Sequence, residues 1–150
     1  MGFARLAAAW SVFVRFVSET ESVQVPKGEL VIRTVAMPGD TKPNGAIFGG
    51  WLMSQMDIGS GILASKTAKA RVVTVAMDGL SFLHPVEVGD AVACYARVES
   101  IGRTSMKIPV EVWVQRFRQH ARQVLVTRGV FTYVAVDDDG RPIPVLRNQS

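Results

Sequence analysis

The sequence predicts an α+β domain in which one long central helix is wrapped by a five-stranded antiparallel sheet. Three observations predict it. Residues 48–68 form a long segment that is apolar on every side of a helical projection. Residues 71–136 then carry almost nothing but β-branched and apolar runs separated by turn formers. One more such run, residues 29–36, precedes the helix. Strands of ten or more residues coil strongly enough to curl around a single helix.

Taken in order, residues 18–28 are polar, contain Pro26 and read as a linker. Residues 29–36 (ELVIRTVA) form the first strand. Pro38, Gly39, Asp40, Pro43, Asn44 and Gly45 then punctuate a loop. The helix is expected from near Phe48 to Lys66 or Ala68, about 28 Å at 1.5 Å per residue. Phe48, Trp51, Leu52, Met53, Met56, Ile58, Ile62 and Leu63 lie all round it, which predicts burial on all sides. Gly59 and Gly61 each cost roughly 1 kcal/mol of helix propensity, so something is expected to approach closely there. Residues 72–83 read as one strand with a bulge at Asp78-Gly79. A turn through His84-Pro85 and residues 88–90 leads to a third strand, residues 91–101. Gly102-Arg103 is expected to be a two-residue hairpin connection into a fourth strand, residues 104–116. Pro109 lies inside that strand and lacks a ladder donor, which predicts a bulge or local edge. Residues 117–122 are a basic loop, residues 123–136 the fifth strand, and Asp137-Asp138-Asp139-Gly140 its terminating turn. The tail, with Pro142 and Pro144, is expected to be irregular. Open sheet edges invite pairing with a second copy.

At 150 residues the chain fits one domain, residues 28–144, behind an extension and linker (1–27) and before a short tail (145–150). With 48% apolar and 20% charged residues it is not a disordered chain. Cys94 is the one cysteine, which rules out an internal disulfide and a cysteine metal cluster and fits a reducing, cytoplasmic setting. No metal site is expected. The net charge of +4 suits an anionic partner, but the basic residues are scattered, which disfavours nucleic acid. The apolar run of residues 6–14 is too short to span a bilayer and lacks a small-residue cleavage site, so membrane contact is disfavoured. There is no P-loop, no G-x-G-x-x-G and no G-x-S-x-G, so no cofactor and no serine nucleophile is indicated.

Several segments together resemble one known family. They are LVIRTVAMPGDT (30–41), NGAIFGGWLMSQMDIG (44–59), RVVTVAMDGLSFLHPVEVGDAVACYARV (71–98), IPVEVWV (108–114) and YVAVDDDGRP (133–142). The arrangement resembles the hot-dog fold, and the motifs resemble YciA-type acyl-CoA thioesterases. The resemblance implies hydrolysis of acyl-CoA thioesters by a homodimer or higher homo-oligomer with sites at subunit interfaces.

The chemistry of residues 37–57 agrees with that implication. A thioester carbonyl gains negative charge under attack by water, and backbone amides at a helix start can hold it. Gly49 and Gly50 leave such amides uncovered. Phe48 and Trp51 border the same stretch, and Trp51, Met53, Met56 and Phe82 are either an acyl slot or core. Arg71, Lys66, Lys69 and Arg103 are the basic candidates for the CoA phosphates, or else solvated surface charges. The resemblance also implies an aspartate directly after the Asn-Gly pair as general base, and Ala46 stands there. Three readings are open. The exchange traps a ligand in an inactivated chain; the chain binds acyl-CoA without hydrolysing it; or another group serves. Asp57, seven residues after Gly50, is the candidate for the third, or a buried helix acid bonded to a partner chain. Asn44 either orients water or closes a turn, and Asp40 reads as turn chemistry. A hot-dog dehydratase is disfavoured because no histidine stands between residues 37 and 57.

Overall fold

The computed structural model describes residues 24–116 and 122–145. The N-terminal apolar run, most of the basic loop and the last residues of the tail lie outside that range. The elements are β1 (Glu29–Val35), α1 (Gly49–Ala68), β2 (Arg71–Phe82), β3 (Ala91–Ala96), β4 (Ser100–Ile101), β5 (Ser105–Gln115) and β6 (Val124–Val136). They form one antiparallel sheet in the order β1-β3-β5-β6-β2, with β4 also paired to β5. The helix packs on the sheet and touches β1, β2, β3, β5 and β6. In β5 the alternate residues Met106, Ile108, Val110, Val112 and Val114 are all buried and form the floor of that core. Leu52, Met56, Leu63, Ala64 and Ala68 of the helix close it.

Among the described residues the sheet has six strands rather than five, because the expected third strand is broken. Its two parts, β3 and β4, both lie beside β5, and the reason is Pro109. Ala96 sits opposite Val110, whereas beyond the break Ser100 sits opposite Lys107, a register shifted by one. At the break the Arg97 N–H donates to the Pro109 carbonyl at 3.3 Å, but proline has no N–H to return the bond. The hairpin after β4 also turns one residue later than expected. The Gly102 N–H closes onto the Ser105 carbonyl at 2.8 Å, leaving Arg103 and Thr104 as its tip. The bulge at Asp78-Gly79 is present. The β2–β6 register shifts between Asp78 and Ser81, and Gly79 takes a φ of 60°, which glycine accepts without strain.

The helix is not buried on all sides within this chain. The sheet covers one face, while Ile58 and Ile62 on the other are 54% and 59% exposed. A sheet on one side can cover no more, and a helix apolar all round therefore leaves an apolar strip for another molecule. The two helix glycines also differ. A Cβ on Gly59 would lie 2.7 Å from Val31 Cγ2, so β1 does approach closely there, while one on Gly61 would make only ordinary contact with Tyr133 at 3.6 Å.

Cys94 is fully buried in β3, and burial pushes its thiol up to about 12. The native chain is therefore expected to leave a thiol reagent unconsumed at neutral pH and to react with one equivalent once denatured, which an absorbance titration checks.

Candidate active site

The helix start is held by the loop before it. The Asp40 carboxylate accepts the Met37 N–H at 3.0 Å, and its carbonyl accepts the Phe48 N–H at 3.0 Å. The Ile47 N–H donates to the Val86 carbonyl at 3.0 Å. Between these ties residues 42–46 close a self-contained turn. The Lys42 N–H donates to the Ala46 carbonyl at 2.7 Å, and the Ala46 N–H donates to Asn44 Oδ1 at 3.3 Å. Gly45 turns the chain with a φ of 89°. Asp40 and Asn44 thus make the turn contacts that their residue types favour.

Phe48 opens the helix, its carbonyl accepting the Trp51 and Leu52 amides at 3.1 and 3.3 Å. The amides of Gly49 and Gly50 have no intrahelical acceptor and no other acceptor among the described residues. A Cβ on Gly50 would meet nothing within 4 Å, whereas one on Gly49 would press the Phe82 ring at 3.1 Å. Two unused N–H groups at the positive end of a 20-residue helix form a ready cradle for an oxyanion. The half-exposed Phe48 precedes these glycines in the chain, and the half-exposed ring of Phe82 reaches Gly49 from β2.

Two helical turns further on lies a second polar cluster. Asp57 Oδ1 accepts the Thr74 hydroxyl at 2.6 Å and the Tyr133 phenol at 2.8 Å. Ser60 Oγ lies 2.7 Å from the same phenol oxygen and 2.6 Å from the Met56 carbonyl. Thr74 and Tyr133 are direct partners across β2 and β6, so the sheet presents both hydroxyls to the helix at one point. Asp57 Oδ2 has no partner among the described residues, and Asp57 is only half-buried. Burial first, and then the neighbouring carboxylate, raise the Tyr133 pKa against the opposing Ser60 and Thr74 hydroxyls; the phenol keeps its proton at any working pH.

A family model for the thioesterase superfamily matches residues 44–118. The acyl-CoA thioester hydrolase YciA of Salmonella typhimurium is 56% identical over 122 residues, 80% of this chain and 92% of that one. The chain belongs to the thioesterase superfamily. Its fold is the hot-dog fold of that superfamily. A solved relative, a hexameric broad specificity acyl-coenzyme A thioesterase in an aspartate-to-alanine mutant form, is 50% identical with a TM-score of 0.79, covering 82% of this chain and 90% of that one. The acyl-CoA hydrolase of Staphylococcus aureus, solved as an aspartate-to-alanine and as a threonine-to-alanine mutant, is 32% identical with TM-scores of 0.70 and 0.69, covering 75% of this chain and 69% of each of those.

Within this thioesterase chain the residues singled out from sequence fall into separate places. Phe48, Gly49, Gly50 and Trp51 share the helix start, with Trp51 half-buried against the core. Asp57 lies about 10 Å along the helix from Gly50. Arg71 lies beyond the far end, about 30 Å from the glycines, with its guanidinium 3.5 Å from the Asp138 carbonyl. Met56 is fully buried core. Asp57 is bonded to hydroxyls of its own chain. Thr74, Tyr133 and Ser60 were missed as site residues. The signal available was a lone threonine in VVTVAM and a lone tyrosine in TYVAV, but only the strand register brings them together.

Proposed function

We propose that this chain is an acyl-CoA thioester hydrolase whose general base is Asp57. The observation that carries the reading is the asymmetric hold on that carboxylate, with Oδ1 pinned by two hydroxyls and Oδ2 left open. A carboxylate fixed in this way is aimed, and its free oxygen can take a proton from a water in hydrogen-bond reach. The water adds to the thioester carbonyl, the amides of Gly49 and Gly50 hold the oxyanion, and collapse expels the CoA thiolate. A comparison supports the assignment: the aspartate and threonine exchanged in the Staphylococcus aureus mutants are seventeen residues apart, as Asp57 and Thr74 are here.

The amides and Asp57 of one chain are about 10 Å apart along the helix, too far to act on one carbonyl. A complete site therefore takes its amides from one chain and Asp57 from another, in a homo-oligomer. The exposed strip of Ile58 and Ile62, together with the 12-residue strand β2, whose outer edge is unpaired among the described residues, supports such an assembly. The hexameric relative supports a closed one. Phe48, Trp51 and Phe82 are the apolar surface for the acyl group, and Arg71 is a basic contact for the CoA phosphates. The catalytic domain is residues 28–144, in a cytoplasmic protein. Among the described residues no helix is long and apolar enough to cross a membrane.

Ala46 favours a second reading, an acyl-CoA-binding protein with weak or absent turnover. Its methyl cannot take a proton, and Asn44 beside it closes the turn. Under the first reading Ala46→Asp changes kcat/KM by less than about tenfold; under the second it raises it about 10²–10⁴-fold, the usual worth of a general base. Steady-state hydrolysis of one acyl-CoA by both proteins separates them.

A further inference from the structure

We infer that Tyr133, backed by Ser60, is a positioning residue that sets which oxygen of Asp57 meets the water. The inference rests on the reading of Asp57 as the base. A phenol carries one proton, yet Tyr133 Oη lies 2.8 Å from Asp57 Oδ1, 2.9 Å from the Asp57 carbonyl and 2.7 Å from Ser60 Oγ. The charged acceptor takes that proton, since hydrogen bonds to ionised groups are about twice as strong as neutral ones. The Ser60 hydroxyl, 2.6 Å from the Met56 carbonyl and 2.7 Å from Tyr133 Oη, is shared between the two, because a tyrosine that donates to Asp57 can only accept from the serine. The result is a directed chain, Ser60 to Tyr133 to Asp57, in which each bond polarises the next. Thr74 supplies the second donor to the same oxygen at 2.6 Å.

Everything in the cluster except Oδ2 is thereby occupied. Ser60 and Tyr133 are buried, so their hydroxyls have no water to exchange with, and the anchor is rigid. Thr74, on the edge strand β2, is exposed within one chain and is covered only if a partner chain packs there. Tyr133 is also braced by Phe131, with ring centroids 6.2 Å apart and planes 15° from parallel. With the Oδ1 anchor on the sheet side, Oδ2 is directed outward, where the partner chain's amides would present the substrate.

Tyr133→Phe keeps the ring and its packing and deletes only the anchor. It is expected to lower kcat about tenfold or more with KM unchanged, as small misplacements of a catalytic group do. Ser60→Ala, which cuts the chain one step back, is expected to lower kcat by less and again leave KM alone. The assays use the intact oligomer, with melting temperature and assembly size measured alongside. A kcat within twofold of the parent in both variants overturns the inference while leaving Asp57 as the base. A rise in KM equal to any loss of kcat/KM also overturns it, since that marks a binding role. Full activity in Asp57→Asn overturns the base reading itself, and this inference with it.

Discussion

Exchange of Asp57 for asparagine is expected to lower kcat/KM for acyl-CoA hydrolysis about 10²–10⁴-fold, the range for loss of a general base. The substitution is close to isosteric. The amide oxygen can still accept the Thr74 hydroxyl at the place where Oδ1 accepts it at 2.6 Å, and still accept Tyr133. The helix and sheet therefore keep their contact, and what disappears is the basic oxygen that has no partner among the described residues. The loss is expected in kcat, with KM changed little, because Asp57 touches the attacking water rather than the CoA. Hydrolysis rates and acyl-CoA binding of the parent and the asparagine form check this. A variant that retains more than a tenth of the parent rate would remove Asp57 as the base.

Filling Gly59 is expected to have the largest effect on stability. The residue is buried where β1 crosses the helix, and a Cβ there would sit 2.7 Å from Val31 Cγ2 and 3.3 Å from Ile32 Cγ1. Valine is stiff at χ1, so neither side can yield by a simple rotation. Gly59→Val should cost roughly 1–3 kcal/mol as overpacking, more than any helix propensity it gains. At about 2–4 °C per kcal/mol for a chain of this size, melting should fall by several degrees. Gly61→Ala is the control: its Cβ would meet Tyr133 only at 3.6 Å, and the gain in helix propensity is up to roughly 1 kcal/mol. Thermal melts at one fixed protein concentration compare the three. Equal destabilisation by both substitutions would refute the close approach of β1 as the reason for Gly59.

Much of this architecture was legible in the sequence because the period of the apolar residues changes once and sharply. The helix was readable from residues 48–68 and is observed at Gly49–Ala68. Pro109 and Asp78-Gly79 announced irregularities, and both are present; the further register shifts between Thr74 and Ala76 and between Val112 and Trp113 have no proline or glycine to announce them. That the irregularity at Pro109 would split the neighbouring third strand into β3 and β4 was not readable, because the proline lies on β5 and only the ladder places it opposite Arg97. The exposed Ile58 and Ile62 were not readable either. An apolar residue has the same sequence signature whether its own chain or a second molecule covers it. At the site, Gly49-Gly50 and Asp57 stand out by residue type and spacing along one helix. Thr74 and Tyr133 do not, because they are 59 positions apart and become neighbours only through the β2–β6 register.

Ala46 and Asp57 pull the functional reading in opposite directions, and turnover by the unaltered chain decides between them. The direct measurement is release of CoA thiol from an acyl-CoA thioester, with enzyme well below substrate; Cys94, buried and protonated, does not contribute to the signal. The account predicts many equivalents of thiol per chain, released at a rate that saturates with substrate. Saturable binding of acyl-CoA with no thiol released would contradict it.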